Sequence, residues 1–389
     1  MSGDGRHARV RRGWSDLPGD VLDMVYRRCC SSRYDHIRFA AVCTSWSAVA
    51  SWHPKPPALP LLLPSTGDAK RDRKARAYIL EDGRALRRPL PGFPWGKRIV
   101  GSHDGGWVAA LAGTRLFIMN VFSGTRVALS AKQSIVSVEE NYITKVIFSE
   151  DPSSSGCILA AMTTRCKVAL CWIGLAGGGW LTRGSTGDDL TDIAFCNGGA
   201  DLYGLSRRAL YRFVIGADGK GAPMVTLVHR VQFEMGVFKD CWDMSHERYI
   251  FEFRGKLAIA MKFAPRICCC KNHFFRVFEF DGVENKPTEV TSLGDHALFL
   301  GPECSKAVHM PLTGRRGRME RSRIYYSEKQ PCPCHKTKCL ERLDLGSYAL
   351  YYGKNKGMLN HSQRIGSSGY HYCHENDTNG CTWLLPPDL

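Results

Sequence analysis

Long apolar runs are absent from this chain of 389 residues. A membrane-spanning helix needs about 18 or more consecutive apolar residues, and no segment of the sequence provides them. The apolar stretch of a secretory signal is also missing, because Asp16, Pro18 and Asp20 follow soon after the first arginines. We therefore expect no contact with a membrane and a location in the nucleus, the cytoplasm or both.

A disulfide framework is not indicated either, although the chain contains 17 cysteines. This number is odd, and without a secretory signal we expect free thiols in a reducing compartment. Two groups of residues could supply zinc ligands: Cys332, Cys334, His335 and Cys339, and then His371, Cys373, His374 and Cys381. The Cys-x-Cys spacing is tighter than zinc sites usually show, so we predict no metal and no other cofactor.

Patterns that indicate an enzyme are lacking as well. The segments Gly177-Gly178-Gly179 and Asp104-Gly105-Gly106 are not followed by the Lys-Ser/Thr of a phosphate-binding loop, and they are predicted to form turns. The triple cysteine at residues 268–270 lies beside basic residues that could activate a thiol, but we interpret it as the apolar end of a strand. We recognise no Ser/His/Asp set, and we predict that the chain is not an enzyme.

Basic residues, by contrast, are abundant. The 53 Lys and Arg against 37 Asp and Glu give a formal net charge of +16. Such a charge either serves solubility or attracts acidic partners such as nucleic acid. Because it is scattered along the chain, nucleic acid is not the partner we expect. The two densest clusters, residues 70–76 and 315–323, are either nuclear import signals or solvated loops.

The segment from residue 77 to residue 389 has the pattern of a β domain. Hairpins are predicted at residues 115–129, 201–214 and 249–261, with a further strand at 274–280. Strands and turns at such intervals are typical of a sandwich, a barrel or a propeller. A propeller with degenerate blades fits the length best, although no Trp-Asp pair marks each unit. We therefore predict a mainly β fold in which this domain is β-propeller-like.

The first part of the chain has a different character. Residues 1–13 are predicted to be a basic flexible arm, residues 14–52 a small helical unit, and residues 53–76 a proline-rich, basic linker. Pro18 suits the first turn of a helix, and a second helix is predicted from Tyr34 to Ala50. The second helix has two apolar faces, and so small a unit cannot bury both, which indicates a partner.

The helical unit resembles the F-box family. The pair Leu17-Pro18 is followed by an apolar helix, and then by residues Val42-Cys43-Thr44-Ser45-Trp46. The polar residues around Trp46 replace the basic residues that often stand there. The resemblance implies binding to the Skp-type adaptor of a cullin–RING ubiquitin ligase. It assigns this contact to eight residues: Leu17, Pro18, Val21, Leu22, Val25, Ile37, Val42 and Trp46.

The remainder resembles the C-terminal half of plant F-box proteins, known as domain of unknown function 295. The matching segments are residues 248–253, 275–281, 292–301, 324–326 and 382–386. Together, the two resemblances imply a substrate receptor of a Skp–cullin–F-box (SCF) ubiquitin ligase, which recruits an unidentified target protein for ubiquitination. The alternative is a basic β-propeller scaffold or a nucleic-acid-binding protein that recruits no ligase.

Overall fold

The structure, a computed structural model, describes most of the chain between residues 13 and 386. The described ranges are 13–30, 33–53, 58–64, 77–80, 83–86, 90–135, 143–164, 167–175, 177–231, 245, 247–263, 274–281, 286–310, 319–327, 342–343, 348–352, 365–374, 377–379 and 381–386. The predictions for residues 1–12, 65–76, 268–270, 315–318 and 332–339 lie outside these ranges. Within them, no helix is long and apolar enough to cross a membrane.

Three α-helices form the helical module, residues 14–52. A 3-10 turn, Trp14–Asp16, precedes helix α1, Gly19–Cys29, and helices α2, Arg33–Ala40, and α3, Thr44–Ser51, follow. Pro18 is the residue that caps α1, which agrees with its predicted place at the helix start. Asp20 lies in the first turn of α1, where a negative charge favours the helix dipole.

The predicted helix from Tyr34 to Ala50 is wrong, because the structure divides it into α2 and α3. The chain leaves helical geometry after Ala40, and Cys43 has an extended backbone with φ −166°. The β-branched Val42 is a weak helix former, and the break allows α3 to fold back on α2. The rings of Phe39 and Trp46 then meet across the break with centroids 4.4 Å apart. The continuous apolar stripe of the sequence therefore spans two helices.

The described part of the remaining chain contains twenty-six strands, one short α-helix, α4, and a 3-10 turn, Asp104–Gly106, joined by loops. The strands are β1 Leu61–Pro64, β2 Tyr78–Ile79, β3 Arg84–Ala85, β4 Arg98–His103, β5 Trp107–Ala112, β6 Arg115–Asn120, β7 Ile143–Phe148, β8 Ile158–Thr163, β9 Lys167–Trp172, β10 Leu181–Ser185, β11 Leu190–Cys196, β12 Asp201–Ser206, β13 Leu210–Ala217, β14 Pro223–Val231, β15 Glu247–Phe253, β16 Lys256–Phe263, β17 Phe274–Phe280, β18 Pro287–Val290, β19 His296–Leu300, β20 Lys306–His309, β21 Arg323–Ser327, β22 Arg342–Leu343, β23 Tyr348–Tyr352, β24 Gly366–His374, β25 Asp377–Asn379 and β26 Cys381–Leu384. Helix α4 is Ala131–Ser134.

These strands form six sheets within the described residues. In chain order, the first sheet is three-stranded, β4 to β6, and the second, third and fourth are four-stranded antiparallel meanders, β7 to β10, β11 to β14 and β15 to β18. The fifth sheet runs in the order β20-β19-β21-β24-β23-β22, with β25 paired to β24, and the sixth runs in the order β26-β1-β2-β3. Consecutive antiparallel meanders of this size are typical of propeller blades. The predicted mainly β fold with a short helical start is thereby confirmed.

The hydrophobic core lies between neighbouring sheets. Its clusters combine side chains from consecutive sheets: Leu159 belongs to the same cluster as Val100, Leu202 to that of Leu170, and Phe278 to that of Leu205. Further clusters join the fourth sheet to the fifth, and the sixth to the first and fifth. Central strands are therefore buried on both faces, as in β8, where five of six residues are buried.

The last strand closes the ring by pairing with the first. Strand β26 lies beside β1, with Leu62 opposite Trp383, so that residues from both ends of the propeller share one sheet. Trp383 is fully buried, and its indole N–H donates to the Leu300 carbonyl of the fifth sheet over 2.8 Å. Ser102 of β4 donates to the Trp383 carbonyl over 2.6 Å, which connects the first sheet to the same point.

The predicted linker at residues 53–76 is wrong in part, because four of these residues, Leu61–Pro64, form strand β1 of the propeller. The prolines around it favour a connection, but Leu61, Leu62 and Leu63 form an uninterrupted apolar triplet between them. Pro64 is the last residue of β1, where the ladder ends and a missing N–H costs little. The triplet can therefore enter a central strand position.

Two of the three predicted hairpins are confirmed. Residues 201–214 form β12 and β13, and residues 249–261 lie in β15 and β16, with the predicted strand at 274–280 as β17. The predicted second strand at residues 126–129 is wrong: this segment is joined to β6 by an isolated bridge from Arg126 to Met119 and does not form a strand. The turn at Gly124 is followed by too few pairing residues to continue the ladder.

Candidate interaction sites

Helix α1 is tied to the other helices by a network of aromatic and polar side chains. The Tyr26 hydroxyl lies 2.7 Å from His36 Nδ1, and the Tyr26 ring stacks on His53 with centroids 4.0 Å apart. His53 Nε2 lies 2.6 Å from Asp23, which also accepts a hydrogen bond from Arg27. The bond from Arg27, and then that from His53, holds the pKa of Asp23 below its ordinary value. Sequence periodicity gave no sign of this network.

The eight residues assigned to adaptor binding fall into three classes of burial. Leu22 is fully buried in the core of the helical module, together with Tyr26, Phe39, Val49 and Ala50. The half-buried residues among the eight are Leu17, Val21, Val25 and Trp46, and the exposed ones are Pro18, Ile37 and Val42. Leu22 therefore supports the surface from behind, and the other seven have atoms at it. Their contact with an adaptor remains a prediction.

The helical module also exposes apolar side chains that are not among the eight predicted residues. Trp14 is 72% exposed and Trp52 is 61% exposed, compared with 53% for Val42. Trp46 donates its indole N–H to the Trp14 carbonyl over 3.1 Å, which fixes the entry turn against α3. The signal for Trp14 was its place three residues before the Leu17-Pro18 pair. So much apolar surface on a small helical unit marks a contact site.

A cavity of about 460 Å³ lies where the six sheets meet. Each sheet contributes its inner edge to the lining, from the region of β4, β7, β11, β15, β20 and β26. Strand β15 contributes Ile250, Phe251 and Glu252 to the lining, and Arg254 follows them. The cavity therefore lies on the propeller axis, and we call it the axial cavity. Its volume is in the range of ligand pockets, about 300–1,000 Å³.

A buried ion pair forms the inner wall of the axial cavity. Lys145 of β7 lines the cavity, and its Nζ lies 2.5 Å from Asp192 of β11, with both side chains almost fully buried. Asp192 also accepts hydrogen bonds from the backbone N–H groups of Ile193 and, across the next sheet boundary, Ile250. Burial raises the pKa of Asp192, against the opposing effect of the Lys145 ammonium and these two N–H groups. The pair thus joins three consecutive sheets.

The other side of Asp192 faces a second, smaller cavity of about 200 Å³. Its lining includes Thr191, Arg207, Glu247 and Arg248. Arg248 donates to the carbonyl of Arg207 over 3.1 Å, so β15 is fastened to the turn between β12 and β13. No residue lines both cavities, and the Lys145–Asp192 pair stands between them.

The rim of the axial cavity carries both signs of charge. Lys306 forms an ion pair with Asp104, which joins the fifth sheet to the first. His296 and His309 both contact Asp295, at 2.7 and 2.8 Å. No cluster of three or more His, Cys, Asp or Glu side chains in the described residues is arranged to hold a metal ion. The Cys332 group lies outside those residues, so its predicted lack of zinc remains a prediction.

Glycines allow the inner strands to approach one another closely. A Cβ atom added to Gly101 of β4 would lie 1.9 Å from the Val146 carbonyl oxygen of β7. At the turn after β11, Gly199 has φ +90°, and a Cβ there would lie 2.0 Å from the Ser149 carbonyl oxygen. Both neighbours are backbone atoms that cannot move aside. The narrow axial wall therefore depends on glycine at these positions.

The comparisons with known proteins agree with this architecture. The family described as KIB1-4 beta-propeller matches residues 77–355, and the chain belongs to that family. A propeller domain of this kind fits a role in protein interaction. No curated protein matches the chain significantly.

Solved propeller structures are only distantly similar. The Cps50 (Swd1) propeller domain of Myceliophteria thermophila is 12% identical, with a TM-score of 0.33 over 55% of this chain and 65% of that one. The N-terminal domain of Nup159 is 10% identical, with a TM-score of 0.32 over 56% of each chain. The Dos1 propeller is 12% identical, with a TM-score of 0.31 over 52% of this chain and 51% of that one. Each alignment spans less than two thirds of the solved chain.

Proposed function

We propose that the chain is the substrate-receptor subunit of an SCF-type ubiquitin ligase. In this proposal the helical module is an F-box that binds a Skp-type adaptor and, through it, a cullin. The propeller captures a protein substrate, and the chain acts in the nucleus, the cytoplasm or both. The family membership of the propeller supports a protein-interaction role, and the F-box resemblance of residues 14–52 supports the ligase connection.

The observation that carries this proposal is the exposed apolar surface of the helical module. Pro18, Ile37 and Val42 are exposed, while Leu17 and Trp46 are half-buried and pack against the module core. A partner that covers these side chains would gain apolar burial at about 25 cal/mol per Å². The three helices already share a packed core, so the surface does not have to form on binding.

The proposed activity requires no catalytic side chain from this chain. A receptor that holds a target and the ligase machinery together raises the effective concentration of one for the other. The lysines of the target are then presented to the enzyme that carries ubiquitin. We therefore propose a role in recruitment, not an enzymatic one.

The direct test is co-precipitation of a purified Skp-type adaptor with the full chain. Leu17→Ala combined with Pro18→Ala should abolish it, because truncating an apolar anchor at an interface centre costs about 2–4 kcal/mol. Val42→Asp should abolish it too, and since Val42 is 53% exposed, this variant keeps the module core intact. Binding that persists in both variants would contradict the F-box assignment.

A matched control truncates exposed apolar side chains elsewhere. Val214 and Leu227 face each other across β13 and β14, at 37% and 52% exposure. Val214→Ala combined with Leu227→Ala should leave adaptor binding unchanged. Loss of binding in this control would show that apolar truncation acts non-specifically.

A further inference from the structure

The polar groups of the axial cavity are mostly engaged within the chain. Lys145 is paired with Asp192, and Lys306 with Asp104. The Ser102 hydroxyl donates to a backbone carbonyl, and the Ser305 hydroxyl does the same. These groups have their partners within the chain, so they shape the cavity but do not need a ligand to satisfy them.

The Glu252 carboxylate is different. Among the residues that the structure describes, it has no hydrogen-bond or ion-pair partner, although it is half-buried in the cavity wall. Burial raises the pKa of the Cys196 thiol, and the Glu252 carboxylate adds to this effect, which places Glu252 close to β11. A half-buried anion without a counterion is costly and attracts a cation.

The remaining cation of the rim does not fill this role. Arg254 lies two residues after Glu252, at a left-handed backbone position with φ +52°. Its guanidinium lies over the Phe253 ring at 4.6 Å and donates to the Leu293 carbonyl over 3.1 Å. Arg254 is therefore held at the exposed rim by these contacts, and it does not pair with Glu252.

We propose that the axial cavity binds a basic side chain, lysine or arginine, from an extended segment of the target protein. The cation would pair with Glu252, while its alkyl stem would pack between Phe195 and Ile250, which also line the cavity. Residues flanking the basic side chain would contact the mixed charges of the rim. This proposal rests on the proposed function and names the chemistry by which that receptor selects its target.

The test selects random dodecapeptides displayed on phage against the immobilised full chain. The expected result is a family of peptides with lysine or arginine at one shared position. In a synthetic peptide, acetylation of that lysine should weaken binding about tenfold or more, because a charge-assisted hydrogen bond is lost. This readout leaves the protein unaltered, so it does not depend on a variant that folds.

Glu252→Gln should weaken the same peptide to a similar extent and should abolish the preference for a basic residue. Glu279→Gln is the matched control, because Glu279 is also a half-buried glutamate of the same sheet but does not line the cavity. The control should bind the peptide as the unaltered chain does. Adaptor co-precipitation, measured in parallel, is expected to be unaffected by either change.

Three results would overturn the proposal. These are selected peptides without a basic preference, acidic peptides whose binding depends on Arg254, and the absence of any peptide whose binding changes with Glu252→Gln. Any of them with adaptor binding intact would reject the cavity proposal alone. Loss of adaptor binding in the Leu17 and Val42 variants is a separate measurement, so failure of the proposed function is recognised independently.

Discussion

Lys145 and Asp192 place opposite charges in the interior of the propeller, 47 residues apart in the sequence. Each stands in a strand of mostly apolar residues, and nothing in the local pattern indicates its partner. The sequence could therefore predict the strands but not the ion pair, because the pairing depends on which strands become neighbours around the axis. Removing one member of such a pair lowers stability strongly, because the other charge stays buried, whereas replacing both members by apolar residues changes stability little.

Replacing Lys145 with methionine should lower the free energy of unfolding by about 3–5 kcal/mol, because Asp192 would remain buried without its counterion. The measurement is the shift of the urea unfolding midpoint of the full chain. Lys220→Met serves as a control, since Lys220 is exposed at a turn, and it should change stability by less than about 0.5 kcal/mol.

The double variant Lys145→Met with Asp192→Leu should recover most of the lost stability, since it removes both charges together. If the single Lys145 variant were as stable as the unaltered chain, the ion pair would not be desolvated in solution. If the double variant were no better than the single one, the backbone N–H groups that bind Asp192 would dominate.

Buried thiols give a second prediction for single residues. Burial raises the pKa of Cys171 to about 12 and that of Cys157 to about 11, and both side chains are fully buried. Since the thiolate is the reactive form, iodoacetamide at pH 8 should modify the exposed Cys29 and spare these two in the folded chain. Mass spectrometry of the digested protein measures this. Labelling of Cys171 as fast as Cys29 would show that Cys171 is not buried in solution.

At the scale of elements, the sequence predicted those strands whose signal is local. Strands β15, β16 and β17 follow from alternating apolar residues and from the Arg254-Gly255 turn. The break between α2 and α3 and the strand β1 were missed for a common reason. In both cases tertiary packing determines the local structure. The Phe39–Trp46 contact favours the break, and pairing with β26 stabilises the leucine triplet as a strand.

The closing strand β26 should be the most sensitive element of the propeller. Trp383→Ala should lower the free energy of unfolding by about 3–5 kcal/mol, through a cavity and an unpaired Leu300 carbonyl. Leu227→Ala, at an exposed position of β14, should cost less than about 0.5 kcal/mol. Urea unfolding of both variants tests this, and equal stability of the two would mean that the ring is not closed by β26.

At the scale of the whole molecule, the two candidate sites differ in how far they could be predicted. The helical module lies within about 40 residues, so a motif of ordered residues was enough to find its surface. The axial cavity draws on residues from Ser102 to Leu385. No sequence pattern joins positions so far apart, and only the order of the sheets around the axis brings them together.

The net charge of +16 is likewise a property of the whole molecule, and it separates the proposed function from the nucleic-acid alternative. Basic residues such as Arg207 and Arg254 stand at the turns of different sheets. Charges distributed in this way attract a polyanion weakly, but they do not form a continuous track along a backbone. Binding through many phosphate contacts would depend steeply on salt, because each contact releases counterions.

We therefore expect the full chain to bind a labelled oligonucleotide weakly at 50 mM salt and not measurably at 200 mM. Six to ten phosphate contacts would lose ~10³–10⁵ in affinity over that interval, whereas recruitment of a folded protein through apolar anchors changes little with salt. Fluorescence anisotropy at the two salt concentrations measures this, and adaptor binding under the same conditions is the control. Tight oligonucleotide binding that survives 200 mM salt would favour a nucleic-acid-binding propeller, with the helical module as an appendage to it.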